Sequence, residues 1–210
     1  MGGYISDAVV RRLPAYYRHL QELEAEGVVQ ISSQDLGERM QLTPSQVRQD
    51  FNSFGGIGRQ GYGYPVRELR EHIRELMGLH KEHRMVILGA GRVGRAVADY
   101  AGFIREGFIT VAMFDPDPAR REEPCREIPV YATEELEKRL PGLYASIAVL
   151  AVPAEAAQEA LDRLYALGIR GFWNFAPVDL KYPRDAVVVN VHLSDSLYTL
   201  GYRMNHPNGL

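Results

Sequence analysis

Apolar side chains recur at three- and four-residue steps through the first part of the chain, which is the period of amphipathic helices. This spacing predicts helices over residues 8–24, 32–40 and 42–54, and a fourth helix that begins after Pro65. Between the third and fourth helices, residues 55–64 hold five glycines and end in aromatic side chains. Such a stretch is typical of a tight β-hairpin or an exposed wing. The order of elements therefore predicts a winged helix-turn-helix unit.

The start of the third helix is marked by several independent local signals. Thr43 is a typical N-cap, Pro44 suits the first helical position, and Gln46 completes the pattern of a capping box. Leu42 and Val47 occupy the two positions of a hydrophobic staple. All of these signals predict the same helix boundary.

The second part of the chain alternates short apolar runs with helical patterns, which predicts a parallel sheet covered on both faces. The predicted strands span residues 85–88, 109–114, 128–131, 146–152, 171–175 and 187–191. The predicted helices between them span residues 92–103, 133–139 and 154–167. A short terminal helix follows, with an apolar stripe formed by Leu193, Leu197, Leu200 and Met204. We expect a domain boundary near residue 80.

Composition limits the class of protein. The chain has 210 residues, 46% of them apolar, with 24 Lys and Arg against 27 Asp and Glu and a formal net charge of −3. These values are ordinary for a globular protein of one or two domains and exclude a disordered tail, a collagen-like chain and a globally basic coat protein. The single cysteine, Cys125, excludes an intramolecular disulfide and a cysteine-based zinc site and favours a reducing cytoplasm. We expect neither a membrane span nor a bound metal.

A glycine-rich phosphate loop is predicted directly after the strand at residues 85–88. It comprises Gly89, Ala90, Gly91, Arg92, Val93 and Gly94. Gly89 permits the tight turn, Gly91 lets the backbone approach a pyrophosphate, and Gly94 allows close packing of helix on strand. Asp115 ends the second strand, 21 residues beyond Gly94, where a carboxylate accepts hydrogen bonds from ribose hydroxyls and repels a 2′-phosphate. The pattern favours NAD(H) over NADP(H), and its alternative is a glycine turn that binds nothing.

Other nucleotide contacts are expected at the carboxyl ends of the later strands. Val152 and Pro153 follow the fourth strand, and Asn174 and Phe175 follow the fifth. Each proline is equally consistent with ordinary strand-ending punctuation, and Asn174 is suited either to contact a carboxamide or to cap a turn. No proton-exchanging group lies in a substrate-binding segment, so we expect no catalytic residues and a sensor rather than a reaction centre.

The first unit has the residues expected of a DNA-binding surface. Four side chains near the start of the third helix face the predicted major groove: Ser45, Gln46, Arg48 and Gln49. Arg59 and Gln60 stand at the predicted wing tip, where a narrow minor groove attracts arginine. Further arginines suited to phosphate contacts are Arg11, Arg12, Arg18 and Arg39. The alternative is a small helical domain whose charges are merely solvated.

The joint order of several longer motifs, from about residue 13 to residue 200, closely resembles the Rex family of bacterial redox-sensing transcriptional repressors. The motifs are L-P-A-Y-Y-R-H-L, S-S-Q-D-L, V-R-Q-D-F-N-S-F-G-G-I-G-R-Q-G-Y-G-Y, G-A-G-R-V-G, F-D-P-D, A-V-P-A-E-A-A-Q, G-F-W-N-F-A-P and V-N-V-H-L-S-D-S-L. The resemblance implies a DNA-binding domain at residues 1–80, a Rossmann-type NAD(H)-binding domain at 81–191 and a C-terminal helix at 192–210. In the family that helix is swapped between the two protomers of a homodimer.

The resemblance further implies repression from an inverted-repeat operator on double-stranded DNA while NAD⁺ dominates, and release when NADH binds. It places Tyr100 and Arg18 at positions that some members use in a ligand-dependent polar network. This chain departs from those members at His192, where an aspartate is expected, and at Ile57 and Gln60 in the wing. Two alternatives remain from the residues alone: an NAD-dependent oxidoreductase with an accessory helical domain, and a CoA- or nucleotide-binding module of a larger enzyme complex.

Overall fold

The computed structural model describes residues 5–55, 62–122 and 125–206. The chain divides into two compact units, Met1–Lys81 and Glu82–Leu210, each with its own hydrophobic core.

The N-terminal unit is built from four helices and one short antiparallel ladder. The helices are α1 (Asp7–Ala25), α2 (Ser33–Met40), α3 (Pro44–Ser53) and α4 (Val66–Leu76). The ladder joins β1 (Gln30–Ile31) to β2 (Tyr64–Pro65). The predicted helix order is confirmed, whereas β1 was not predicted, because two residues are too few to show an alternating pattern. The predicted wing tip, including Arg59 and Gln60, lies outside the described residues.

The core of this unit is formed by one face of α1 against α3 and α4. Tyr16, Leu20 and Phe51 are fully buried, and the rings of Tyr16 and Phe51 lie 4.9 Å apart. The cap of α3 is as predicted, since Thr43 Oγ1 accepts from the backbone N–H of Gln46 at 3.1 Å. The reciprocal half of the predicted capping box is replaced, because the Gln46 side chain donates to Asp50 instead.

The C-terminal unit contains a six-stranded parallel sheet in the spatial order β5-β4-β3-β6-β7-β8. The strands are β3 (His83–Leu88), β4 (Phe108–Phe114), β5 (Val130–Tyr131), β6 (Ile147–Leu150), β7 (Gly171–Asn174) and β8 (Val187–Asn190). The helices are α5 (Arg92–Asp99), α6 (Ala101–Arg105), α7 (Pro118–Glu122), α8 (Leu136–Leu143), α9 (Ala154–Ala166) and α10 (Leu193–Asn205). Counted within the unit, this is the strand order 3-2-1-4-5-6 of a Rossmann fold, which confirms the predicted fold class.

Alternate residues of β3 point to opposite faces of the sheet, as the period of a strand requires. Val86 and Leu88 pack into a cluster with residues of α8 and α9, while Met85 and Ile87 pack with residues of α5. All four side chains are buried, so β3 is a central strand covered on both sides.

The single helix predicted over residues 92–103 is wrong in its extent. Tyr100 has an extended backbone (φ −74°, ψ 101°) and separates α5 from α6. Its ring folds over Gly102, where an added Cβ would lie 2.4 Å from a Tyr100 ring carbon. The break coincides with this contact between near neighbours, which apolar periodicity does not reveal. Helix α7 was not predicted, and the predicted strands at residues 128–131 and 146–152 are shorter than expected.

Two glycines of the predicted phosphate loop are required by packing. Gly89 has a φ of +96°, and an added Cβ would lie 2.3 Å from the carbonyl oxygen of Ala151. An added Cβ at Gly94 would lie 1.9 Å from the carbonyl oxygen of Gly89. The obstructing atoms are backbone in both cases, so a side chain cannot be accommodated without moving α5 or β6 away from β3.

We therefore expect Gly94→Ala to lower the free energy of unfolding by about 1–3 kcal/mol or more, as overpacking of a core does. Gly142→Ala is the matched control, because its added Cβ meets nothing within 4 Å and lies in α8. That control should be neutral or stabilising by about 0.5–1 kcal/mol, the difference between glycine and alanine in a helix. Urea unfolding followed by circular dichroism measures both, and equal effects would contradict the packing argument.

Candidate functional site

The third glycine of the loop, Gly91, borders open space. An added Cβ there would meet only the end of a flexible side chain, Arg120 Nη1, at 3.4 Å. Gly91 is also the N-cap of α5, whose first backbone N–H groups have no partner within the helix. Together with the positive end of the helix dipole, this makes the entrance to α5 suited to bind an anion.

A cavity of 510 Å³ lies at the carboxyl ends of β3, β4 and β6. Its lining includes Gly89, Asp115, Val152 and Pro153 from the predicted site, together with Arg120. The chain order reverses direction between β3 and β6, which is the topological switch point where ligands of open parallel sheets bind. The fold therefore brings these residues, distant in sequence, to one edge of the sheet.

Asp115 has a second task that the sequence did not reveal. Its carboxylate is 1% exposed and accepts from the backbone N–H of Ala90 through Oδ2 at 2.7 Å. Oδ1 accepts from the backbone N–H of Asp117 at 2.9 Å, and Arg120 Nη1 lies 3.3 Å from Oδ2. The carboxylate thus holds the glycine loop against the end of β4, in addition to any role toward a ligand.

Two arginines that sequence analysis missed brace the same loop. Arg95 Nε donates to the carbonyl of Ala90 at 2.8 Å, and its Nη2 donates to the carbonyl of Arg120 at 2.5 Å. Arg120 in turn pairs with Asp115 and lies 3.6 Å from a carboxylate oxygen of Asp117. The sequence signal for Arg120 was its place five residues after Asp115, the predicted ribose-binding aspartate at the end of β4.

The structure favours the turn-capping role for Asn174. Its side chain is fully buried, Nδ2 donates to the carbonyl of Val178 at 2.9 Å and to Asn190 Oδ1 at 3.0 Å, and Oδ1 accepts from the N–H of Ala176 at 3.0 Å. All of its polar atoms are therefore engaged by the protein. Phe175 lies outside the lining described for the 510 Å³ cavity and packs on Trp173 at a centroid distance of 4.6 Å.

The remaining predicted nucleotide contacts fall in two places. Arg92 and Val93 are exposed in the first turn of α5, beside Gly91. Tyr100 instead lies at the opposite end of α5, is 59% exposed and packs edge-on against Phe103 at 4.6 Å. It lines a second cavity of 390 Å³, so the structure does not bring Tyr100 to the glycine loop.

The N-terminal turns of α3 present a polar surface. Ser45, Arg48 and Gln49 are exposed, as predicted for a helix that contacts bases. Arg48 Nη1 donates to Ser33 Oγ at 2.9 Å, which holds the guanidinium beside the start of α2. Ser45 Oγ lies 2.9 Å from Thr43 Oγ1 at the helix cap.

Gln46 and Arg12 take part in an internal network centred on Asp50, a role that their predicted contacts with bases and phosphates did not include. Asp50 is 1% exposed. Arg12 donates to it twice, at 2.6 and 2.8 Å, Tyr16 donates at 2.9 Å and Gln46 donates at 2.7 Å. A buried carboxylate needs such partners, and Arg12 and Gln46 remain partly exposed while they supply them.

The network changes the acidity of its members. Burial alone raises the pKa of Asp50, but hydrogen bonds from Arg12, Gln46 and Tyr16 outweigh burial and hold that pKa below its ordinary value. Burial and the hydrogen bond to Asp50 raise the pKa of the Tyr16 hydroxyl above its usual range. Asp50 is therefore ionised and compensated inside the unit.

The other predicted phosphate contacts differ in their surroundings. Arg11 and Arg18 are exposed on α1. Arg39 pairs with Glu26 at 2.8 Å, and the pair is exposed. Because an exposed ion pair contributes little, the pair with Glu26 leaves Arg39 available to a stronger anion.

Comparison with known proteins relates the whole chain to one group. Residues 4–52 match the family described as "Putative DNA-binding protein N-terminus", and residues 80–178 match "CoA binding domain". The redox-sensing transcriptional repressor Rex of Caldanaerobacter subterraneus subsp. tengcongensis is 45% identical over 201 residues, covering 96% of this chain and 90% of that protein. The chain belongs to the Rex family. The Rex repressor of Clostridium botulinum is similar at 46% identity, covering 96% of both chains.

Solved structures of RSP, a Rex-family repressor, resemble this chain over both units. The complex of RSP with β-NAD⁺ and operator DNA matches with a TM-score of 0.91 at 44% identity, covering 97% of this chain and 94% of RSP. The complex of RSP with β-NADH matches with a TM-score of 0.90 at 42% identity, covering 97% and 95%. The resemblance to Rex drawn from sequence motifs is thereby confirmed.

Membership of the Rex family decides between the alternatives left open by the residues. The Rex relatives are named transcriptional repressors. Their similarity to this chain covers helices α1 to α4 as well as the parallel sheet. The two alternatives, an NAD-dependent oxidoreductase and a CoA-binding module, assigned no DNA-binding function to helices α1 to α4. In the described ranges, no helix has the length and apolar character needed to cross a bilayer.

The Asp50 network leads to a pH-dependent prediction. Because the pKa of Asp50 is lowered by folding, its stabilising contribution is present above its unfolded-state pKa of about 3.9 and is lost as the pH falls through the folded-state pKa. We expect Asp50→Asn to lower the free energy of unfolding at neutral pH by about 1–3 kcal/mol. We also expect this variant to lose less stability than the parent on acidification.

Urea unfolding at pH values from 7 to 3 tests this expectation. Asp7→Asn is the control, since Asp7 is an exposed carboxylate in the same unit. Identical pH profiles for the parent and Asp50→Asn would contradict the role assigned to the buried carboxylate.

Proposed function

We propose that this chain is a redox-sensing transcriptional repressor that binds operator DNA as a homodimer and releases it when NADH binds. The observation that supports this most directly is the match over both units to RSP, a repressor whose structures include complexes with operator DNA and with β-NADH. Two surfaces of this chain must then act together, the cavity beside the glycine loop and the exposed face of α3.

The glycine loop is suited to the diphosphate of a dinucleotide. Gly89 and Gly94 are fixed by packing, but Gly91 has no such requirement, and its missing side chain leaves the entrance to α5 open. The backbone N–H groups there donate to phosphate oxygens. Val152, Pro153 and Asp115 line the adjoining cavity, and we assign the ribose hydroxyls to Asp115, which also holds Ala90.

Discrimination between the two redox states rests on charge. The nicotinamide ring of NAD⁺ bears a positive charge that NADH lacks, and transfer of an unpaired charge out of water is costly. Phe175 and Trp173 form an apolar surface at the end of β7, and Trp173 also packs on Phe103 at 5.4 Å. We infer that a ring bound against this surface is favoured in the uncharged, reduced form.

Sequence recognition is assigned to α3. Arg48 is suited to guanine and Gln49 to adenine, and both are exposed on the face of the helix that would enter the major groove. Arg12 fixes α3 on α1 through Asp50, and Gln46 donates to the same carboxylate from within α3. Arg11 and Arg18 remain as phosphate contacts.

The proposal of a homodimer rests on apolar surface that the single chain leaves uncovered. Helix α10 has no buried residue, and its stripe is exposed at Leu193 (64%), Leu197 (66%), Leu200 (53%) and Met204 (72%). The neighbouring edge strand β8 also exposes Val187 and Val189. An inverted-repeat operator requires two recognition helices related by two-fold symmetry, so a second copy is the partner that suits this surface.

If NADH releases the operator, NADH and operator DNA must each lower the affinity of the protein for the other. By linkage, operator DNA lowers the affinity for NADH by the same factor by which NADH lowers the affinity for DNA. A mobility shift on an AT-rich palindrome, titrated separately with NADH and NAD⁺, tests the proposal. We expect NADH to release the DNA at concentrations at which NAD⁺ does not, and equal effects of the two would contradict redox sensing.

Arg48→Ala in the same assay tests the assignment of α3. We expect it to cost about 1–3 kcal/mol of binding and to relax preference at one base of each half-site. Arg11→Ala is the control, because loss of a phosphate contact weakens all sequences alike and reduces the salt dependence. A base preference that survives Arg48→Ala unchanged would contradict base contact by this residue.

Leu197→Glu tests the proposed dimer, since a buried unpaired carboxylate opposes association. We expect the variant to sediment as a monomer and to bind the palindrome much more weakly than the parent. Tyr144→Glu is the control, because Tyr144 is 81% exposed at the end of α8 and is not part of the stripe. If the parent chain sediments as a monomer at micromolar concentration, the dimer proposal is wrong.

A further inference from the structure

Arg120 is a cation at the glycine loop to which no role toward a ligand has yet been assigned. Its guanidinium is near the place where a side chain of Gly91 would begin, with Nη1 3.4 Å and Cζ 3.9 Å from an added Cβ. The same residue lines the 510 Å³ cavity. It therefore occupies the position from which a positive charge reaches an anion that approaches the backbone of Gly91.

We propose that Arg120 is a phosphate-contacting residue of this site and that its guanidinium binds the diphosphate of the dinucleotide beside Gly91. This inference rests on the proposed function, because it concerns the ligand of the same site. It adds a side chain to a phosphate site that otherwise consists of backbone N–H groups and the helix dipole.

The protein holds Arg120 in place without burying it. Nη1 lies 3.3 Å from Asp115 Oδ2, Nε lies 3.6 Å from Asp117 Oδ2, and Arg95 donates to the backbone carbonyl of Arg120. The Arg120 side chain is nevertheless 49% exposed. A guanidinium has five donors in a planar fork, so the Asp115 and Asp117 contacts leave N–H groups for a phosphate.

The carboxylates around the loop favour a cation at this position. Asp115 and Asp117 are both within reach of Arg120, and each carboxylate repels an incoming diphosphate. Arg120 offsets that repulsion and offers charge-assisted hydrogen bonds, which are about twice as strong as neutral ones. The helix dipole alone supplies only about half an elementary charge.

Phosphate chemistry at this site has a second possible source, the 2′-phosphate of NADP(H), which an arginine after the second strand of a Rossmann fold accommodates. The position of Arg120 beside Gly91 favours the diphosphate, since Gly91 is where the backbone approaches that group. ADP carries only the diphosphate, whereas NADPH carries the 2′-phosphate as well. Comparing how the two ligands bind therefore distinguishes a contact with the diphosphate from a contact with the 2′-phosphate.

The experiment compares Arg120→Gln, Arg120→Lys and Arg121→Gln in the full chain, by titration with NADH, ADP, adenosine and NADPH. Arg121 is the matched control, because it is the next residue of α7 and is not among the described residues that line the cavity. NADH and NADPH are followed by their fluorescence, and ADP and adenosine by their competition with NADH. Thermal unfolding verifies that each variant is folded.

We expect Arg120→Gln to lower the affinity for NADH and for ADP by about tenfold to a hundredfold, which is equivalent to the loss of one charge-assisted hydrogen bond. Binding of adenosine, which has no phosphate, should be unchanged, and NADPH should be weakened by the same factor as NADH. Arg120→Lys should recover part of the affinity, and the effect of Arg120→Gln should shrink as salt is added. Arg121→Gln should bind all ligands like the parent.

Several outcomes would overturn the inference. Equal weakening of adenosine and ADP would make Arg120 a positioning residue for Asp115, and weakening confined to NADPH would assign it to the 2′-phosphate. Unchanged or tighter binding of NADH by a folded Arg120→Gln variant would remove it from the site while leaving the proposed function intact. Failure of the parent chain to bind NADH would overturn the proposed function, and this inference with it.

Discussion

The glycine loop that we propose to bind the nucleotide depends on a contact between backbone segments that leaves no room for a methyl group. The Cα of Gly89 approaches the carbonyl of Ala151 at the end of β6, and the Cα of Gly94 approaches the carbonyl of Gly89. These approaches bring the entrance of α5 to the topological switch point of the sheet, where β3 and β6 lie side by side. The cavity, the anion-binding helix terminus and the carboxylate of Asp115 share one edge because of this packing.

In the N-terminal unit, the buried charge of Asp50 determines how the polar surface of α3 is arranged, as the glycine contacts do for the loop in the C-terminal unit. Asp50 is on α3, and its carboxylate is neutralised by Arg12 and hydrogen-bonded by Tyr16, both of α1. Breaking a buried pair of this kind is costly because one charge would remain uncompensated. The network therefore fixes the rotation of α3 about its axis and determines that Ser45, Arg48 and Gln49 face outward while Gln46 faces inward.

Both sites use arginine to compensate a carboxylate that also organises the backbone or a helix. Asp115 holds the glycine loop and is paired with Arg120, and Asp50 holds α3 and is paired with Arg12. The two arginines differ in exposure, since the Arg120 side chain is 49% exposed and that of Arg12 28%. The more exposed guanidinium of Arg120 retains more donors for a ligand, whereas Arg12 gives both Nε and Nη2 to Asp50.

The sequence by itself determined the order of helices and strands, the Rossmann-type sheet and the location of the glycine loop, because these follow from local periodicity, capping and spacing. Thr43 as a helix cap and Gly94 as a close-packing glycine were predictable, since each rule involves only near neighbours. Only the tertiary structure decided which polar side chains remain at the surface. Arg12 and Gln46 turn toward a buried carboxylate, Asn174 satisfies its own loop and Tyr100 breaks a helix. Arg12 and Asn174 bond to partners 38 and 16 residues away, which a one-dimensional pattern does not place within hydrogen-bonding distance, whereas Gln46 and Tyr100 contact near neighbours.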